Sequence, residues 1–388
     1  MIPRTIAGTF LELASKMPVV SLTGPRQSGK STLARHVFPT YKYVNLEDPE
    51  LREYAGSDPR GFLETYRYPL IIDEAQYVPS LFSYIQVICD RENREGMYVL
   101  SGSQDFILSR SISQSLAGRV ATLHLLPFSI QELKGTPDSE DGWESYIVKG
   151  FYPRIYDKKL GFTKWYADYV RTYLEKDARD IVNIGELRTF QQFVALCAGR
   201  IGQLVNLSSI GNDIGVSYHT VRRWLSVLEM TNIVQLLRPY HSNFNKRIVK
   251  APKLYFTDTG LASYLLGIRK TGDVTTHFMR GALFENLIVT EVAKCFYNQG
   301  MEPAVFFWRD SNGIEVDLVI ETGGTVIPVE IKSGKTFDAD FVKNIIRFNE
   351  ISGATENAGV VVYGGELMQK RGAITVQPWS FDCASVIL

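Results

Sequence analysis

Apolar residues along this chain fall into short runs of two kinds. Pro18-Val-Val-Ser-Leu-Thr23, Pro69-Leu-Ile-Ile72, Met97-Tyr-Val-Leu100 and Val120-Ala-Thr-Leu-His-Leu125 are brief, mostly apolar stretches, the pattern of strands buried on both faces of a sheet. A helix is predicted after the first of them, at Leu33-Ala-Arg-His-Val-Phe38. Trp143 to Pro153 and Thr163 to Asp177 instead carry aromatics on one stripe at helical spacing, which predicts two helices. Leu207 to Ile214 and Tyr218 to Met230 predict a further pair around the tight turn Gly215-Val-Ser217, with Val221, Trp224, Leu225 and Leu228 as the buried face of the second. Asn232 to Pro239 and Lys253 to Phe256 read as strands. Glu315 to Glu321 and Thr325 to Lys332 flank Gly323-Gly324 and predict a β-hairpin.

With 388 residues and 45% hydrophobic content, the chain is too long for one ordinary core. A turn-rich acidic stretch, Gly135 to Gly142, marks the clearest boundary. The expected organisation is 1–135, 136–200, 201–270 and 271–388. Lys plus Arg and Asp plus Glu number 42 each, which excludes a globally cationic coat protein and leaves room for a local basic patch. No run of eighteen apolar residues occurs and Met1-Ile-Pro-Arg-Thr5 lacks a signal-peptide core, so the expectation is a cytoplasmic protein with no membrane partner. Cys89, Cys197, Cys295 and Cys383 are far apart and show no metal-ligand spacing.

The first strand runs into Gly24-Pro-Arg-Gln-Ser-Gly-Lys-Ser31. This G-x-x-x-x-G-K-[ST] pattern turns successive backbone N–H groups around a polyphosphate at the positive end of the following helix. Gly24, Gln27, Ser28, Gly29, Lys30, Ser31 and Thr32 form the expected ATP cradle; Lys30 should reach the β- and γ-phosphates, and the Ser31 hydroxyl should ligate Mg²⁺. The second strand ends in Asp73 and Glu74, where parallel sheets place their ligands. Asp73 is expected to hold Mg²⁺ and Glu74 to orient and deprotonate the attacking water. The plainer reading of this acid pair is a solvated helix cap. The third strand leads to Ser103 and Gln104, polar groups able to sense the γ-phosphate.

The order of these motifs, continued by Leu116-Ala-Gly-Arg119 and Pro127-Phe-Ser129, resembles the AAA+ ATPases, in particular a bacterial and archaeal group of predicted ATPases with a distinctive C-terminal domain. The resemblance implies an oligomeric ATPase, a small helical lid at 136–200 over the nucleotide, and a role for Arg119 at a γ-phosphate in its own subunit or a neighbour's. A surface arginine beside a turn glycine is the alternative for Arg119.

The helix pair 207–230 with its two following strands has the pattern of a winged helix-turn-helix, whose second helix enters the DNA major groove. Between Asn206 and Phe256 there are seven Lys or Arg against two acidic residues, a local excess suited to phosphate contacts. Arg222, Arg223, Lys246, Arg247 and Lys250 are the expected DNA-binding residues. Winged helices also serve as protein-interaction modules, and that reading stays open.

Asp317 on one strand of the hairpin and Glu330 with Lys332 on the other form D-(x)n-E-x-K. Residues two apart in a strand share a face, so two carboxylates and an ammonium can meet, the first able to hold a divalent metal and the second to assist attack by water. Glu285, on a helix from about Gly281, can be aimed at the same point. This set resembles the PD-(D/E)xK nucleases, from about Arg280 through a helix at Phe341 to Phe348 and strands at Gly359 and Ile374; Val316 stands where the family has proline.

The fold class expected is therefore α/β: an N-terminal P-loop AAA+ ATPase with a helical lid, a winged-helix middle domain, and a C-terminal restriction-endonuclease-like α/β domain. Two functions fit. One is an ATP- and Mg²⁺-dependent homo-oligomeric machine coupling hydrolysis to DNA binding and cutting. The other is an ATP switch whose inert nuclease-like domain binds a protein partner.

Overall fold

The computed structural model describes residues 2–387 apart from 103–114, 175–186, 241–249, 311 and 354–357. The chain divides into two compact units: 1–128 with 230–232 and 296–302, and 129–229 with 233–295 and 303–388.

The first unit is built on a parallel sheet of five strands, β1 (Val19–Thr23), β2 (Lys42–Asn45), β3 (Leu70–Asp73), β4 (Tyr98–Ser101) and β5 (Val120–His124), ordered β2-β3-β4-β1-β5. Helices α1 (Ala7–Ala14) and α2 (Lys30–Val37), together with α3 (Pro49–Ser57), α4 (Pro59–Thr65) and α5 (Leu81–Glu92), cover the two faces. Alternation along β3 explains the near-continuous apolar run. Leu70 and Ile72 join Val44, Phe62, Phe82 and Leu100 on one face, while Ile71 joins Phe10, Val20, Leu22 and Leu33 on the other. The register pairs Asn45 with Asp73 and Leu22 with Ser101. The C-terminal strand ends are thus aligned along one edge, where β1 passes into the glycine loop.

In the second unit, α6 (Trp143–Lys149) and α7 (Phe162–Tyr169) are the helices expected as a lid. They pack with α11 (Thr259–Leu265), which follows the helical segment α8 (Leu187–Ala198), α9 (Leu207–Ile214) and α10 (Tyr218–Met230) and the antiparallel ribbon β6 (Val234–Leu237) and β7 (Lys253–Phe256). Asp258 ties them together. Its buried carboxylate accepts from the Phe151 N–H at 2.7 Å, the Leu261 N–H at 2.9 Å and the Tyr166 hydroxyl at 2.6 Å. A Cβ at Gly260 would stand 2.7 Å from the Gly150 Cα, so glycine permits this close approach.

The predicted bounds of α9 and α10 match the observed ones. Asn206 caps the first through the Ser209 N–H at 3.0 Å, Gly215 closes it in the left-handed conformation, and Ser217 caps the second through the Thr220 N–H at 3.1 Å. Trp224 packs edge-on against Phe190 and tilted against Phe193 of α8, both centroids 5.5 Å away. Leu204 adds a bridge to Lys253 at the ribbon's edge.

The C-terminal part starts with α12 (Arg280–Asn298) and forms a mixed sheet of β8 (Val305–Arg309), β9 (Glu315–Thr322), β10 (Thr325–Lys332), β11 (Gly359–Tyr363), β12 (Gln369–Arg371) and β13 (Ile374–Pro378), ordered β12-β13-β11-β10-β9-β8. The hairpin β9–β10 is antiparallel, and β10 pairs in parallel with β11. Helix α13 (Lys343–Ser352) covers it through Ile345 and Phe348.

Candidate functional site

The glycine loop owes its shape to backbone that most residues resist. Gly24, Gln27 and Gly29 have φ of 132°, 64° and 96°, which turns amides toward a common centre. At Gly24 a Cβ would lie 2.2 Å from the Leu125 carbonyl oxygen, so no larger residue fits. Arg4 braces the loop from outside, donating to the Ser28 carbonyl at 2.9 Å and the Leu126 carbonyl at 2.6 Å. Lys30, at the start of α2, is buried and donates to the Gly24 and Pro25 carbonyls at 2.9 and 2.8 Å. The Ser28 hydroxyl and the Gln27 side-chain oxygen are buried without a protein partner. Inward amides, a buried ammonium and unsatisfied polar atoms are a donor set that fits a polyphosphate.

Asp73 is 3% exposed at the end of β3. The Tyr43 hydroxyl donates to Oδ2 at 2.7 Å, and Oδ1 accepts from the Ser101 hydroxyl and, at 3.2 Å, from the Glu74 N–H. Tyr43 lines one cavity with Ser31, so the phenol on Asp73 stands on the same wall as the serine expected to share its Mg²⁺, and a hydroxyl with a carboxylate is a donor set that fits that ion. Burial first, then Asp73, raises the Tyr43 phenol, which stays a neutral donor. Glu74 is left-handed at φ 52°, ψ 42° and takes a hydrogen bond from the Gln76 amide. A non-glycine residue in this region carries backbone strain that its surroundings must hold. Thr32 lies with Ser31, Arg35 and Tyr43 on the wall of a cavity of 440 Å³.

Two further expected residues, Ser103 and Arg119, are not found beside the loop among the described residues. Ser103 lies outside the described residues; Ser101, two positions earlier, is the serine that meets Asp73. Arg119 precedes β5, and its carbonyl accepts from Val19 N–H at the start of β1, which is the end of the sheet opposite the loop. Asp90 pairs with its guanidinium, at 2.9 Å on Nη2. Contact with a γ-phosphate in its own subunit is therefore corrected: the strand's length separates the two.

In the second unit the structure does bring Asp317, Glu330 and Lys332 together. Asp317 Oδ2 accepts from the Ile331 N–H at 2.8 Å and lies 3.1 Å from the Lys332 ammonium, which also pairs with Glu330. Burial and the Asp317 charge push the Glu330 carboxyl up to about 8. Glu285 joins by another route. It is 3.0 Å from the ammonium of Lys253, which is 2% exposed and stands 2.5 Å from Glu315, and it accepts from the Tyr255 hydroxyl. Burial opposes the charge on Lys253, but Glu285, Asp317 and Glu315 outweigh it and hold the ammonium cationic. Arg309 pairs with Glu315 at 3.3 Å, not with Asp310. Among the described residues, no three His, Cys, Asp or Glu are placed to hold a metal ion. In the expected Mg²⁺ set, one oxygen each of Glu285, Asp317 and Glu330 faces a protein ammonium and Glu330 Oε1 is buried without a hydrogen-bond partner, but the three do not converge as a ligand set for the ion.

On α10, Arg222 and Arg223 are exposed, as is Lys250 at the ribbon. Lys246 and Arg247 lie outside the described residues. Lys253, counted from sequence in the basic excess, is instead the buried partner of Glu285. Among the described residues no helix is long and apolar enough to cross a membrane.

Three family models match in succession: an AAA domain over residues 16–134, a Domain of unknown function (DUF8612) over 140–272 and a Domain of unknown function (DUF4143) over 280–381. An uncharacterized protein of Mycobacterium tuberculosis is 28% identical over 336 residues, covering 86% of this chain and 74% of the relative. One of Methanocaldococcus jannaschii is 22% identical over 359 residues, covering 80% and 77%. Among solved structures, a Walker-type ATPase of Pyrococcus abyssi aligns with TM-score 0.47 at 15% identity, over 68% of this chain and 96% of that one. The RuvB Holliday junction branch migration motor of Thermotoga maritima aligns with TM-score 0.33 at 18% identity, over 61% and 90%. Parallel sheet, phosphate loop and matched AAA domain together identify the N-terminal unit as that of an AAA-type P-loop ATPase.

Proposed function

We propose that this chain is an ATP-hydrolysing switch that governs a nucleic-acid-binding second unit. The observation that carries it is the hydrogen-bonded set Tyr43, Asp73 and Ser101 beside the phosphate loop, with Ser31 and Tyr43 lining one cavity and Glu74 held at the strand end. Mg²⁺ bound through Ser31 and Asp73 would neutralise charge on the β- and γ-phosphates. Lys30 and the loop amides bind those phosphates, Tyr43 and Ser101 fix the carboxylate of Asp73, and Glu74 accepts the proton of the attacking water at its carboxylate. The chain works as a homo-oligomer in the cytoplasm on this reading. Arg119 then serves a neighbouring subunit's nucleotide after parting from Asp90.

The second unit contributes a winged helix that binds DNA. Support comes from the helix order α8–α9–α10, the ribbon and the exposed arginines of α10. Reversing Arg222 and Arg223 to Glu is expected to weaken duplex DNA binding by about tenfold or more at low salt and to flatten its salt dependence, since each phosphate contact contributes close to one unit of slope. Fluorescence anisotropy across a salt series checks this, and unchanged affinity at low salt would assign the module to protein contacts.

The C-terminal domain is read as nuclease-like in fold, binding rather than cutting, because its carboxylates carry protein cations. The convergence of Asp317, Glu330 and Lys332 favours a second reading, in which it cuts. Incubation of the protein with supercoiled and linear DNA, ATP and Mg²⁺ or Mn²⁺ is expected to yield phosphate without strand scission. Scission that Asp317→Ala abolishes would establish the second reading.

A further inference from the structure

Four carboxylates meet in the second unit, and two lysines divide them. Lys253 takes Glu285 and Glu315; Lys332 takes Asp317 and Glu330. The two lysines differ in kind. Lys332 is a third exposed on the same strand as Glu330, whereas Lys253 is 2% exposed and arrives from β7, the strand that leaves the basic ribbon. Its ammonium lies over the Phe307 ring, 5.6 Å from the centroid. Tyr255, two residues along the same strand, donates to the same oxygen of Glu285.

A buried carboxylate cluster needs positive charge, and a protein can supply it from a metal ion or from its own side chains. The two solutions compete wherever they are aimed at the same oxygens. An ammonium nitrogen stands roughly 2.8 Å from its oxygens, and a magnesium ion roughly 2.1 Å from six ligands in octahedral geometry. The four oxygens aimed at Lys253 and Lys332, one from each carboxylate, cannot also close on a smaller divalent ion without moving, although Glu330 Oε1 is buried without a hydrogen-bond partner. Adding a divalent charge beside a retained ammonium also costs like-charge repulsion in a poorly hydrated site.

We infer that Lys253 is the resident cation of this cluster: it takes the place of a divalent metal ion and latches the C-terminal α/β domain to the ribbon in a form closed to metal-dependent cutting. The inference rests on the carboxylates and not on the ATPase reading.

Nucleotide-free full-length protein titrated with Mn²⁺, followed by electron paramagnetic resonance and by thermal unfolding, tests it. Wild type and Asp317→Asn are expected to take up Mn²⁺ equally. Lys253→Met, similar in length and neutral, is expected to gain one Mn²⁺ site at least tenfold tighter than any in wild type. That gain should vanish when Asp317→Asn is added, and Mn²⁺ should raise the melting temperature of Lys253→Met only. Asp317-dependent Mn²⁺ uptake by wild type overturns the inference, as does a folded Lys253→Met that gains no site. If Lys253→Met does not fold, the comparison of wild type with Asp317→Asn decides: equal uptake sustains the inference and unequal uptake overturns it.

Discussion

Lys30→Ala is expected to lose ATP binding by about a hundredfold or more, the scale of removing a buried charge-assisted contact to phosphate. The alanine leaves the helix start intact, since Ala suits a helix, so the loss is one of charge and not of folding. Two carbonyls, of Gly24 and Pro25, now accept from the Lys30 ammonium. Without it they face the same centre as the loop amides, and acceptors there repel a polyphosphate. The defect should therefore exceed that of a surface lysine. Isothermal titration with ATP·Mg²⁺, beside a thermal melt showing an unchanged fold, measures it. Retained affinity would mean that the loop amides and Arg4-braced backbone hold the phosphates alone.

Glu74→Gln is expected to bind ATP as wild type does while hydrolysis falls by about 10²–10⁴-fold, the range for removing a general base. The substitution keeps size and hydrogen-bonding and removes basicity. Backbone strain makes the contrast sharper. Glu74 is held left-handed by its surroundings, so Gln takes the same place and the difference reports on proton transfer. Release of phosphate under saturating ATP, with the binding constant measured separately, decides it. Turnover near wild type would take the role of water activator away from Glu74.

Much of the first unit was legible because parallel strands buried on both faces announce themselves as apolar runs. β3 and β4 are of this kind. β2 is not: Lys42-Tyr-Val-Asn45 lies at the sheet edge with one buried residue, Val44, and so gave no signal, which is why Tyr43 was missed beside Asp73. Ser101 was missed too, because it lies inside the apolar run of β4 and carries no sign of meeting Asp73. The helix caps at Asn206 and Ser217, and the glycine at 215, made α9 and α10 readable to the residue. Charge was read less well. A lysine in sequence carries no sign of whether it meets solvent or a carboxylate brought from 32 residues away, as Lys253 meets Glu285. Arg119 shows the complementary limit: a motif can name a residue type at a spacing while the strand's direction puts it at the far end of the sheet.

Asp258 bears on how such a chain can be inherited. The carboxylate is shared property of segments on both sides of residue 200, since its donors come from Phe151 and Tyr166 as well as Leu261. A gene fusion that swapped the stretch after 200 for another would leave two donors facing an unrelated surface, or a buried anion without them. The stretch from Phe151 to Leu261 is thus transmissible only whole.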